Sequence, residues 1–420
     1  MVDHGRTLAR ASAPTPAAVS SLFILFASMG TTSAAIPAMI PSLAASGTGV
    51  LGDYLRAVPA LFFGLLAGVL ISSVLGKSLS PRRVTILGAG IQAVGFIALS
   101  VSSVSTVFVA VSIIIGVGFG LVEAGGSILA RVFSGTGTAR LLSALTGTVA
   151  IVASGVPLLL AFTPAGSRPE LVFLSIGGVH LVALCFVLRT NDGVSNRSSS
   201  TPFVAEKEAL SGRQGTRTRS LASVLVPVGF SLALYVGVET VYSGWSSTIP
   251  LLVLNVPAQH AAIGTSVFWL LLASGRYLAT YLLSGSLSPR VYLLFSTSLA
   301  ACALGVTAMT VSNYPVAATV SLGVAVIALG PCYSLILGIG LSGIPIARAR
   351  WATGLFVACG AGGGALIPAV ALAAADDPTS AGVFAVTGLL AVTSGFLVAV
   401  IGYRWARSSS ASDHHDDRQT

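Results

Sequence analysis

Long apolar runs separated by short charged or glycine- and proline-bearing breaks set the pattern of this chain. A helix needs about 20 apolar residues to cross a hydrocarbon core. Runs of that length fall near 18–40, 54–75, 84–103, 105–129, 141–162 and 171–189, and again near 222–247, 264–284, 290–311, 315–340, 352–373 and 382–403. The pattern predicts twelve membrane-spanning helices, six on each side of one polar segment. The expected organisation is an N-terminal segment 1–17, a six-helix bundle 18–189, a linker 190–220, a second six-helix bundle 221–404 and a tail 405–420. The linker is rich in Ser, Gly, Arg and Thr, a composition that cannot bury a core and reads as a flexible tether. The tail, with His414, His415, Asp416 and Asp417, reads as disordered and solvated.

One run breaks the apolar pattern in an ordered way. Within Leu234–Trp245, LYVGVETVYSGW, a single carboxylate, Glu239, lies near mid-span. A charge at that depth costs roughly 2.5–3.5 kcal/mol, and is kept where it faces a cavity, a partner or the protein interior. Tyr235, Glu239, Tyr242 and Ser246 recur at i, i+4, i+7 and i+11, which predicts one polar stripe on one helix face.

Composition agrees with the spans. The chain is 54% hydrophobic and 8% charged, against about 25% charged in soluble domains. The formal charge of +9 implies no nucleic-acid partner, because the basic residues form no face and lie between the spans. Lys77, Arg82, Arg83, Arg131, Arg140, Arg189, Arg290, Arg348 and Arg350 share one side with the linker and both termini. Only Arg56 and Arg168 fall on the other side, and Arg276 lies within a span. By the positive-inside rule both termini and the linker are expected in the cytoplasm, the protein being multi-pass in the cell membrane. Ser42–Ala45 loosely resembles a signal-peptide cleavage site, but the many later spans favour a retained first helix. Cys185, Cys302, Cys332 and Cys359 lie inside apolar runs without metal-ligand spacing and read as buried free thiols. No phosphate-cradling glycine loop or zinc spacing appears, and the predicted outer loops are short, which argues against an enzyme. No cofactor or metal is implied.

An internal repeat joins the halves. Ser78-Leu79-Ser80-Pro81-Arg82 follows the second span and Ser286-Leu287-Ser288-Pro289-Arg290 the eighth, offset by 290 − 82 = 208 residues. Equivalent loops in equivalent orientation describe two parallel six-helix repeats. In this the chain resembles the major facilitator superfamily over nearly its whole length. Gly76-Lys77-Ser78-Leu79-Ser80-Pro81-Arg82-Arg83 stands where that superfamily has a glycine–aspartate–arginine loop motif, here without the aspartate. Within the superfamily the chain resembles the fucose permease-like branch, the fucose–galactose–glucose:proton symporters. The resemblance is carried by Tyr235-Val236-Gly237-Val238-Glu239 with Gly244-Trp245, by Phe268-Trp269 with Gly275-Arg276, and by Gly116/Gly118/Gly120 leading to Glu123. It implies proton coupling through a carboxylate on span four, matched by Glu123. The family's second acid, on span one, has no counterpart in LFILFASMGTTSAAIPAMIP.

The expectation is an all-α integral membrane protein of the major facilitator fold, moving a small solute by alternating access with H+ as the coupling ion. Glu123 and Glu239 are the proton-coupling candidates. Gln92, Tyr235, Tyr242, Trp269, Arg276 and Tyr333 are the substrate-cavity candidates, with Glu239 and Arg276 able to pair. Trp245 is read either as a ring-stacking residue or as an interfacial anchor, and His180 as a packing histidine or, more weakly, a proton-relay residue. Gly330-Pro331, Pro157 and Pro368 mark bends. The partners are a small-molecule substrate, the proton and the bilayer, with a monomer as the assembly. The branch resemblance favours sugar-like uptake; the scarcity of amides in the spans fits proton-driven efflux of a less polar metabolite or drug.

Overall fold

A computed structural model of the chain describes residues 16–46, 49–76, 78–134, 138–162, 168–189, 222–283, 287–342, 344, 346–375 and 377–416, without the side chains of 134, 138–140, 143, 346–350 and 400–416. The predicted linker and most of the N-terminal segment lie outside the described residues. Among those residues there is no strand. Twelve helices are long and apolar enough to cross a membrane: α1 (Pro16–Ala45), α2 (Leu51–Leu75), α3 (Pro81–Leu99), α4 (Ser105–Phe133), α5 (Ala144–Ala161), α6 (Pro169–Arg189), α7 (Ala222–Gly244), α8 (Ala258–Leu283), α9 (Pro289–Thr310), α10 (Pro315–Ser342), α11 (Trp351–Ala374) and α12 (Ala381–Ala399).

The repeated Ser-Leu-Ser-Pro-Arg string proves to be a helix-start signal used twice. Ser80 is extended and accepts a hydrogen bond from the Arg83 N–H at 3.4 Å, with Pro81 at the first helical position of α3. Ser288 and Pro289 open α9 in the same way, though without the side-chain bond. Serine at the cap and proline at the first position start helices because one accepts an orphan N–H and the other has none to leave orphaned. Arg82 then reaches α6, donating through Nη2 to the carbonyls of Val187 at 2.7 Å and Leu188 at 3.1 Å. The arginine of the aspartate-free loop thus caps the negative end of a neighbouring helix.

Two breaks differ from the sequence expectation. The helix after Glu239 stops at Gly244, and the chain continues as a short helix, Thr248–Val253, before Asn255 turns it with φ 54°. At the other end, helix continues from α12 to Asp416, through most of the segment 405–420 expected to be disordered. No glycine or proline lies between Gly402 and Asp416 to end it.

Glycine sets how closely helices approach. Gly116 and Gly120 of α4 face Gly64 and Gly68 of α2: a Cβ on Gly64 would meet the Gly116 Cα at 3.0 Å, and one on Gly68 would meet the Gly120 Cα at 3.1 Å. A Cβ on Gly118, turned the other way, would meet Gly88 O of α3 at 2.6 Å. The alternating glycines therefore serve two neighbours at once, as small residues do where lipid offers no hydrophobic drive. Gly120→Val should force α2 away and cost about 2 kcal/mol by overpacking, read as a lowered unfolding temperature in detergent. An unchanged midpoint would show that the crossing can relax.

The halves meet along α2–α11 and α5–α8. At the end of the bundle opposite the N-terminus they are also joined by an Ala38–Ala161–Ala262 cluster and by Ser247, whose hydroxyl donates to Pro37 O. Gly244 packs there on Val58. Large apolar side chains such as Val101, Phe162, Phe230, Phe295 and Met309 are left exposed, forming the surface a lipid environment covers.

Candidate functional site

The site is organised by a break in α10. Pro331 has no N–H, and the helix stops at Leu329 and resumes at Cys332. Such a break frees carbonyls that must find donors inside a membrane. Leu329 O accepts from the Tyr235 hydroxyl at 2.8 Å, and Gly330 O from Arg276 Nε at 3.2 Å. Arg276 can come this close because Gly275 and Gly330 are both bare: a Cβ on Gly330 would lie 3.2 Å from the Gly275 Cα. The other side of the same guanidinium pairs with Glu239, Nη2 to Oε1 at 3.7 Å. Tyr235 and Glu239, one turn apart on α7, thus act on one break together with α8. The side chains of Arg276 and Glu239 remain 35% and 16% exposed, so the pair borders open space rather than a dry core.

Tyr333 lies one residue beyond Cys332, its ring 6.4 Å from that of Tyr235. It stands within electrostatic reach of Glu239 and Arg276 in its own half and of Glu123 in the other. Glu123 and Tyr333 are both half-buried, while α4 packs on α2 and α3, and α10 on α8 and α9. The two side chains therefore stand on opposite halves within electrostatic reach of one another. Among the described residues Glu123 has neither a hydrogen bond nor an ion pair. Trp269, two turns before Arg276 on the same face of α8, is half-buried and edge-on to Phe268 with ring centroids 5.5 Å apart.

Five of the expected residues besides Glu123 are thus brought to one region: Tyr235, Glu239, Trp269, Arg276 and Tyr333. Two are not. Gln92 is fully buried within the first half, where its Oε1 accepts from Thr32 Oγ1 at 2.8 Å. Thr32 is also 2.9 Å from His180 Nε2, and the imidazole stacks on Phe96 at 5.5 Å. This triad joins α1, α3 and α6. Gln92 is therefore a structural tie and not a cavity residue. Thr32→Val should leave two buried polar groups without their shared partner and lower stability by about 1–2 kcal/mol. Equal unfolding midpoints for the two proteins would refute the tie. Tyr242 also points elsewhere: its hydroxyl bonds Thr387 and its ring stacks on Phe384, both on α12. Trp245, 1% exposed, is packed at the closed end and is neither an interfacial anchor nor a free stacking platform. Thr32 and Thr387 were missed as partners. Their only signal is the rule that a buried amide or phenol needs one.

The family model of the Major Facilitator Superfamily matches residues 18–368. Among solved structures, a D-xylose–proton symporter aligns with TM-score 0.78 at 13% identity, covering 91% of this chain and 96% of that one. A point mutant of the nucleoside transporter NupG aligns with TM-score 0.67 at 14% identity, covering 91% and 99%. A point mutant of the peptide transporter POT aligns with TM-score 0.73 at 16% identity, covering 93% and 95%. No curated protein matches by sequence. The chain belongs to the Major Facilitator Superfamily. It is a multi-pass membrane transporter of that fold, not an enzyme.

Proposed function

We propose that the chain is a proton-coupled secondary active transporter that carries a small organic solute through the gap between its halves by alternating access. The observation that carries this reading is Glu123: a mid-span carboxylate without a partner among the described residues, within electrostatic reach of Tyr333 in the other half. A carboxylate without a fixed partner is free to bind and release a proton as the gap opens to either side. The branch resemblance to fucose permease-like symporters rests on the same carboxylate, and a D-xylose–proton symporter is among the similar folds. The basic residues orient both termini and the linker toward the cytoplasm, and one chain holds both halves of the gap, so a monomer suffices.

Export of a less polar solute is the second reading, favoured by the burial of Gln92. With Gln92 buried, the remaining amide among the described residues of the spans is Gln259, exposed on the first turn of α8. The test is proton movement in vesicles reconstituted with the purified protein and loaded with a pH-sensitive dye, challenged with sugars, polyols and amphipathic compounds. Proton flux evoked by a solute supports coupling. Solute movement with no accompanying proton movement would overturn it. Accumulation driven by an inward proton gradient distinguishes uptake from efflux.

A further inference from the structure

We infer, on the transport reading above, that the solute is a lipophilic organic monocation and that it occupies Glu123 in alternation with the proton. Charge gives the first reason. Glu239 and Arg276 face the gap as an ion pair at 3.7 Å and cancel. Glu123 is left with no counter-charge among the described residues. Arg131, the next basic residue on α4, is two turns away, about 12 Å along the axis, and exposed at the span's end. Among the described residues the gap therefore carries one uncompensated negative charge, and its complement is one positive charge.

Hydrogen-bonding chemistry gives the second reason. A sugar brings a hydroxyl at nearly every carbon, and each one left unpaired in a drying site costs free energy. Amides serve such groups well because each both donates and accepts. Gln92 is fully buried inside the first half, with its Oε1 committed to Thr32. Asn255 and Asn313 lie outside the long helices, and Gln259 is exposed on the 3-10 turn that opens α8. Aromatic rings stand nearby instead, Tyr333 within electrostatic reach of Glu123 and Trp269 half-buried two turns before Arg276 on α8. Aromatic rings accept cations through the negative face of the π system. One carboxylate among rings suits a single charge on an apolar body and fits a polyol poorly.

The test compares two ions of the same size and shape but opposite charge. Equilibrium binding of labelled tetraphenylphosphonium is measured on the protein in lipid nanodiscs in mildly alkaline buffer, against empty nanodiscs. Tetraphenylborate and D-xylose serve as competitors. Saturable tetraphenylphosphonium binding is expected, displaced by neither competitor. Glu123→Gln should weaken it at least about tenfold, while Glu123→Asp, which keeps the charge, should stay within about threefold. Binding no greater than that of empty nanodiscs, equal binding by Glu123→Gln, loss in Glu123→Asp equal to that in Glu123→Gln, or displacement by D-xylose would each overturn the inference. If D-xylose moves with protons in vesicles while tetraphenylphosphonium does not bind, the cation fails and the transport reading stands. If tetraphenylphosphonium binds through Glu123 but nothing is transported, the cation stands and the transport reading fails.

Discussion

Glu123→Gln should reduce solute-evoked proton flux in reconstituted vesicles to the leak of empty ones while leaving the protein as stable as the parent, or more so. Glutamine keeps the shape and hydrogen-bonding capacity of the side chain but cannot take up or release the proton. No ion pair is broken, because Glu123 makes none among the described residues. Removing an unpaired carboxylate from mid-span relieves a desolvation cost. The two readouts therefore part company, whereas a purely structural glutamate would move stability first and flux only through it. Flux and unfolding midpoint would be measured on the same preparation. A variant with parental coupled flux would remove Glu123 from the mechanism.

Arg276→Leu should be the most destabilising of the substitutions considered, at about 3 kcal/mol. Breaking a buried pair typically costs about 3–5 kcal/mol because the remaining charge is stranded, and the 35% exposure of the arginine puts this pair at the low end. The loss is double: Glu239 loses its counter-charge, and Gly330 O at the α10 break loses its donor. A second change, Glu239→Gln, should recover part of the deficit by removing the stranded charge, leaving the uncapped carbonyl. Thermal unfolding of the two single variants and the double variant closes the cycle. A double variant less stable than Arg276→Leu would show that the charges do not act on one another.

The spans were legible because bilayer thickness imposes a length on every apolar run. The pairing of Glu239 with Arg276 was legible because two opposite charges in consecutive spans are cheaper together than apart. Gln92 misled for the same reason. Its cost in a membrane suggests function, yet Thr32, 60 residues away, donates to its Oε1, and His180 bonds the same Thr32 from 148 residues away. No local spacing encodes that meeting. Tyr242 shares a helical stripe with Tyr235 and Glu239, but α7 is surrounded by α8, α10, α11 and α12. A long side chain on that stripe can find a neighbour other than the gap, as Tyr242 finds Thr387. Helix periodicity gives the face of a helix and not what stands opposite it.

The glycine contacts between α2 and α4 have a mechanical consequence. Two helices touching backbone to backbone at Gly64–Gly116 and Gly68–Gly120 have no side-chain layer to shear, so they turn together as one stiff beam. One member of the beam carries Glu123. The other bears on α11, where Phe62 lies against Gly364 and Leu66 against Gly362. The same rigid pair thus links the helix of Glu123 to the seam between the halves.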